Sequence, residues 1–89
     1  MKYRSRTEIA SNILEAANGG ATKTRIMYKG FLSYAQLMEY LALLVRNGLL
    51  EYSEAEAKFS TTSKGTKFLG IYTQLDALAP SASMTKDRK

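Results

Sequence analysis

The sequence predicts a single, mainly α domain carrying one small β-hairpin, and three observations predict it. Apolar residues recur at helical spacing in separate segments, the pattern turns to alternation after Gly48, and Gly or Ser/Thr signals punctuate each change. At 89 residues, 45% apolar and 24% charged, the chain can build one core and is too apolar for a disordered segment. A chain of this length buries only about 60–65% of its unfolded surface, which leaves little room for an internal substrate cavity. Oligomerisation would be a natural way to add buried area.

Thr7 to Ala17 is expected to form the first helix, because Ile9, Ile13, Leu14 and Ala17 share one face while Glu8, Asn12 and Glu15 lie off it. Asn18-Gly19-Gly20 stops it, and Ala21-Thr22 follows as a short extended link. A second, shorter helix runs from Thr22 or Lys23 to Tyr28, with Thr22 as N-cap and Ile26 and Met27 as its apolar contacts. Lys29-Gly30-Phe31-Leu32 is then a tight turn, with positive φ expected at Gly30. Ser33 caps a third helix to about Asn47, in which Leu37, Tyr40, Leu41 and Leu44 form the buried stripe, and Gly48 terminates it. Leu49 to Ser53 and Lys58 to Thr61 suit two strands, with Glu54 to Ala57 as the hairpin loop. Thr61 or Thr62 caps a last helix to about Ala79, and Pro80 with residues 81–89 reads as a frayed basic tail.

Helix, short helix, Gly-containing turn, longer helix, hairpin, helix: this order is that of a winged helix-turn-helix. The helix after the turn fits a DNA major groove, the hairpin is the wing, and flanking basic groups hold phosphates and fix the register.

Missing residue types exclude other chemistry. With no Cys there is no disulfide, thiolate nucleophile or Cys-ligated zinc, and with no His there is no imidazole base or His metal site. No spacing sets a base beside a nucleophile, and Gly19-Gly20 lacks the pattern of a phosphate loop. The expectation is therefore no enzyme, no cofactor, no metal and no small-molecule ligand. No apolar run approaches 18 residues and the chain opens on a polar stretch, so neither a membrane span nor a secretory signal is expected.

Charge supplies the positive clue. Thirteen Lys and Arg against eight Asp and Glu give +5, which favours anionic partners. The surplus is uneven: residues 1–31 carry +4, residues 32–57 carry −3 and residues 58–89 carry +4.

The run Gly20-Ala21-Thr22-Lys23-Thr24-Arg25-Ile26-Met27-Tyr28-Lys29-Gly30-Phe31-Leu32-Ser33-Tyr34-Ala35-Gln36-Leu37 resembles the signature of a small archaeal winged-helix family. That family is typified by the dimeric, ten-kilodalton-class Sulfolobus chromatin proteins. Asn47-Gly48-Leu49-Leu50 and Thr62-Ser63-Lys64-Gly65 match in order, so the resemblance spans roughly residues 4–79. It implies a winged-helix domain over 4–79 whose last helix, 62–79, pairs with a second copy as an antiparallel coiled coil, leaving 80–89 as a flexible tail. It also implies sequence-tolerant binding of double-stranded DNA by a cytoplasmic, nucleoid-associated protein or transcriptional regulator.

Two departures qualify what the resemblance implies. Pro80 should end the last helix where the Sulfolobus relatives extend it into a rod, so the seam, built from Phe68, Ile71, Tyr72, Leu75 and Leu78, spans only about two heptads. Gly70 inside it costs up to roughly 1 kcal/mol of helix propensity, yet would permit close backbone approach. The wing segment from Glu51 to Glu56 holds three carboxylates, which phosphate repels, and Lys58 is the hairpin's one cation. Minor-groove insertion is therefore not expected of this wing.

The expected DNA contacts are Lys23, Arg25, Lys29 and Lys58, with Ser33, Tyr34 and Gln36 at the start of the third helix. Each has a structural alternative. The three cations of the second helix could form its solvated side, Ser33 serves first as an N-cap, and Tyr34 either packs under the turn or faces DNA. Gln36 points away from the leucine stripe and could pair with adenine. Against DNA binding stands a winged helix used only for protein–protein interaction, supported by the acidic stretch 32–57 and a nearly neutral third helix.

Overall fold

Four hydroxyl caps divide the chain into its helices. In the structure, a computed structural model that describes residues 4–78, α1 spans Arg6–Ala17, α2 Lys23–Gly30, α3 Tyr34–Arg46 and α4 Ser63–Leu78. The Ser5 hydroxyl accepts from the Glu8 N–H at 3.0 Å, Thr22 from Arg25 at 3.2 Å, Ser33 from Gln36 at 3.1 Å and Thr62 from Gly65 at 3.1 Å. Each bond satisfies an amide that the helix itself leaves unpaired. Between α3 and α4 lie β1 (Leu50–Ser53) and β2 (Lys58–Thr61), antiparallel, with Tyr52 opposite Phe59 and the loop at 54–57. The expected tail at 80–89 and a helix end at Ala79 fall outside the described residues, as does the side chain of Leu78.

The core sits where α1 and α3 close over the hairpin's base. Ile9, Ile13, Leu14 and Ala17 of α1 meet Ile26 of α2 and the Leu37, Tyr40, Leu41, Leu44 stripe of α3, with Ala21, Leu32 and Leu50 between. Ile13, Leu14, Ile26, Leu37 and Leu50 are essentially inaccessible, and burying each is worth about 1.5–3 kcal/mol relative to leaving it exposed. The hairpin is stitched to this body at two points. Ala21 and Phe59 exchange backbone hydrogen bonds at 2.9 and 2.8 Å, so the α1–α2 link acts as a one-residue third strand. The Thr61 hydroxyl donates to the Leu14 carbonyl at 2.6 Å.

The turn after α2 corrects one expectation. Positive φ falls not on Gly30 but on Phe31, at 54°, and α2 runs two residues beyond Tyr28 to Gly30 itself. Packing explains the shift. Gly30 is buried in the last turn of α2, and a Cβ there would lie 3.2 Å from Leu32 Cδ1, close enough that the leucine would have to shift by a few tenths of an ångström. The chain reverses one residue later. The Phe31 N–H then donates to the Tyr28 carbonyl at 3.3 Å and the Leu32 N–H to the Met27 carbonyl at 3.1 Å.

The first turn of α4 rests on the chain just before β1. Gly65 is buried there, and an added Cβ would overlap the Leu49 carbonyl oxygen and come within 2.6 Å of Thr61 Cγ2. Thr62 completes the joint, donating its hydroxyl hydrogen to the Gly48 carbonyl at 2.6 Å. Phe68 and Leu69 pack against the core, while Ile71 and Leu75, further along, are 58% and 60% exposed.

Candidate nucleic-acid interface

Three of the expected phosphate contacts come together. Arg25 and Lys29 lie four residues apart and so share one side of α2. That side lines an open cleft of about 480 Å³ together with Lys58 from β2, Glu15, Ala16 and Asn18 from the end of α1, and Thr22. Lys29 also lines a smaller depression with Asn12, Glu15 and Ala16. Three cations against one carboxylate leave the cleft with a surplus of two positive charges, suited to an anion. Lys23, two residues before Arg25 and so on another side of α2, is exposed but not part of the cleft.

Ser33, Tyr34 and Gln36 form a second group at the start of α3. Ser33 is the N-cap. Tyr34 is 61% exposed, so it faces solvent and does not pack under the turn. Gln36 is exposed, as its helical angle implies, but its side chain is already engaged: Oε1 accepts from the Ser33 N–H at 3.2 Å, closing a reciprocal capping box. Bidentate pairing with adenine needs both the oxygen and the amide nitrogen of a glutamine. Gln36 would have to give up the cap to make it.

Four further residues escape the sequence reading. Arg4 donates from its guanidinium to the Gly30 carbonyl at 2.6 Å and the Phe31 carbonyl at 2.9 Å, clamping the turn from 26 residues away. Phe31 is 84% exposed and Tyr28 is 71% exposed, so with Tyr34 three large aromatics stand in solvent within seven residues. Arg6 places its guanidinium 5.3 Å from the Tyr40 ring centroid, at the range of a cation–π contact. An Arg near the N-terminus carries no local signal of which carbonyl it will reach.

A helix-turn-helix followed by a two-stranded hairpin and a fourth helix is now in view, and residues 3–79 match the family model described as winged helix-turn-helix. The chain belongs to that family. Among solved structures it is similar to Sso10a-2, a DNA-binding protein from Sulfolobus solfataricus, with a TM-score of 0.69 and 22% identity over 97% of this chain and all of that one. At that identity the likeness concerns the fold. No curated protein sequence matches the chain.

Within the winged helix-turn-helix frame the hairpin is the wing, and Glu51, Glu54 and Glu56 are all exposed on it. Lys58 lies at the start of its returning strand, on the side of the α1–α2 cleft. Of the expected seam, Phe68 is partly buried against its own core and Tyr72 is half-buried, whereas Ile71 and Leu75 are open. Among the described residues no helix is long and apolar enough to cross a membrane, and no group of three metal-ligating side chains occurs.

Proposed function

We propose that this chain binds double-stranded DNA, with the start of α3 toward the major groove and Lys23, Arg25, Lys29 and Lys58 on flanking phosphates. The observation that carries this reading is the convergence of Arg25, Lys29 and Lys58 on one cleft beside the helix-turn-helix. The stretch from residue 16 to residue 38 reinforces it, for it contains those two helical cations and Lys23 and no carboxylate. Affinity then comes mainly from counterion release, with Ser33 and Tyr34 fixing position more than sequence. Such a binder serves as a transcriptional regulator or a nucleoid-associated protein of the cytoplasm, with no catalytic step. Ile71 and Leu75 offer a short apolar seam for a homodimer, which would repeat the contact along the duplex.

Binding of a random-sequence duplex across a salt series tests the mechanism, with wild type beside an Arg25→Ala/Lys29→Ala/Lys58→Ala variant. Log affinity should fall linearly with log salt, and the variant should lose about 0.9 of slope for each phosphate contact removed. A flat wild-type slope would sink the phosphate-driven mechanism. The second reading, a protein-interaction module, is favoured by the exposed carboxylates of the wing. It predicts no duplex binding even at low salt.

A further inference from the structure

The turn between α2 and α3 holds a feature that phosphate contact does not use. Phe31 adopts the left-handed conformation, which costs a non-glycine residue about 1–2 kcal/mol, and its ring is almost wholly in water. A lone exposed apolar side chain is ordinary. Here a strained, exposed phenylalanine has an exposed tyrosine three residues away on either side, Tyr28 and Tyr34. The backbone beneath the ring is also fixed. Arg4 holds the carbonyls of Gly30 and Phe31, and the amides of Phe31 and Leu32 close the end of α2. The ring therefore stands on a rigid mount. Strain of this kind persists only where the surroundings over-determine it, and it gathers at sites of function.

Charge selects the occupant. No carboxylate occurs between residues 16 and 38, while Lys23, Arg25 and Lys29 do, and Arg4 adds its own charge to the turn. Exposed aromatics on a stretch of chain that carries cations and no carboxylate of its own, with Glu15 of α1 the one carboxylate in the adjoining cleft, match a nucleobase, whose flat π-face is carried on an anionic backbone.

We propose that Phe31, with Tyr28 and Tyr34 beside it, is a base-stacking element that takes up an unstacked base, so that the chain prefers DNA with an unpaired nucleotide over a perfect duplex. This rests on the DNA-binding reading above and adds a substrate preference to it. Apolar side chains inserted at base steps do comparable work in other DNA-binding proteins, where the cost of unstacking is lowest if the base is already unpaired.

Fluorescence anisotropy would compare a labelled 20-base-pair duplex with the same duplex carrying one extra unpaired thymine. Wild type should bind the bulged duplex about tenfold more tightly, toward the low end of what stacking one base on an aromatic ring provides. Phe31→Ala and Phe31→Leu should both abolish that preference, and Phe31→Trp should keep it. The chain has no tryptophan, so Phe31→Trp also supplies a reporter of its own: its emission should be quenched by the bulged duplex and not by the intact one. Equal wild-type affinity for the two duplexes, or a preference that survives in Phe31→Leu, overturns the stacking element and leaves DNA binding standing. Absence of binding to both duplexes overturns the DNA-binding reading and this proposal with it.

Discussion

The ends of α2 and α3 close with the same pair of hydrogen bonds, yet the residues at the reversal differ. After α3, the Gly48 N–H donates to the Val45 carbonyl at 3.0 Å and the Leu49 N–H to the Leu44 carbonyl at 2.9 Å, with Gly48 at φ 78°. After α2 the equivalent donors are Phe31 and Leu32, and the left-handed residue is Phe31. Glycine adopts that backbone without steric cost, and phenylalanine does not. The neighbourhoods differ as well. The chain past α3 runs into Glu51, Glu54 and Glu56, whereas no carboxylate lies within the seven residues on either side of Phe31. One end is relaxed and leads to an acidic surface; the other is strained, aromatic and basic. A helix end can thus be either plain punctuation or a mount for a side chain, and the hydrogen bonds alone do not distinguish them.

The comparison breaks first at Gly65. Its backbone packs on the Leu49 carbonyl, so Gly65→Ala should force α4 away from the end of α3 and cost about 3 kcal/mol or more, measured by urea unfolding. Exchanging the two closing residues sharpens the contrast. Gly48→Ala should destabilise by about 1–2 kcal/mol through backbone strain alone, since the nearest atom to an added Cβ, Lys64 Cδ, is 3.8 Å away. Phe31→Gly should instead stabilise by about 0.5–1 kcal/mol, strain relief less the entropy cost of glycine, as seen in thermal unfolding. Loss of stability in Phe31→Gly would mean the ring is held by contacts and the strain account is wrong. The smallest effect belongs to the wing. Replacing Glu51, Glu54 and Glu56 with Gln should raise duplex affinity about threefold at low salt, and the gain should shrink as salt screens it.

Much of the fold is legible because its signals are local. Thr22, Ser33 and Thr62 cap the helices that follow them, Gly48 ends α3, and the Leu37, Tyr40, Leu41, Leu44 stripe faces inward as its spacing requires. Gln36 was legible too, in part: a serine followed three residues later by glutamine is a capping-box signature, and geometry favours that role over a free base reader. What escapes is set by distant partners. Gly30 reads as a turn glycine until its packing against Leu32 is seen, and the clamp on Phe31 comes from Arg4. The cleft needs α1, α2 and β2 brought together, so no window of sequence contains it.

The stitching of the hairpin to the body has a bearing on how the chain reaches this fold. The Thr61–Leu14 bond joins residues 47 positions apart, and the Ala21–Phe59 pair likewise spans the whole helix-turn-helix. A helical chain left to local contacts would assemble quickly, but these two closures pay their loop entropy before they return any bonding. Contact order therefore predicts that the first three helices dock early, from neighbours in sequence, whereas the wing, like α4 on α1, waits for partners far along the chain. On that basis the basic, aromatic turn should form before the acidic hairpin does.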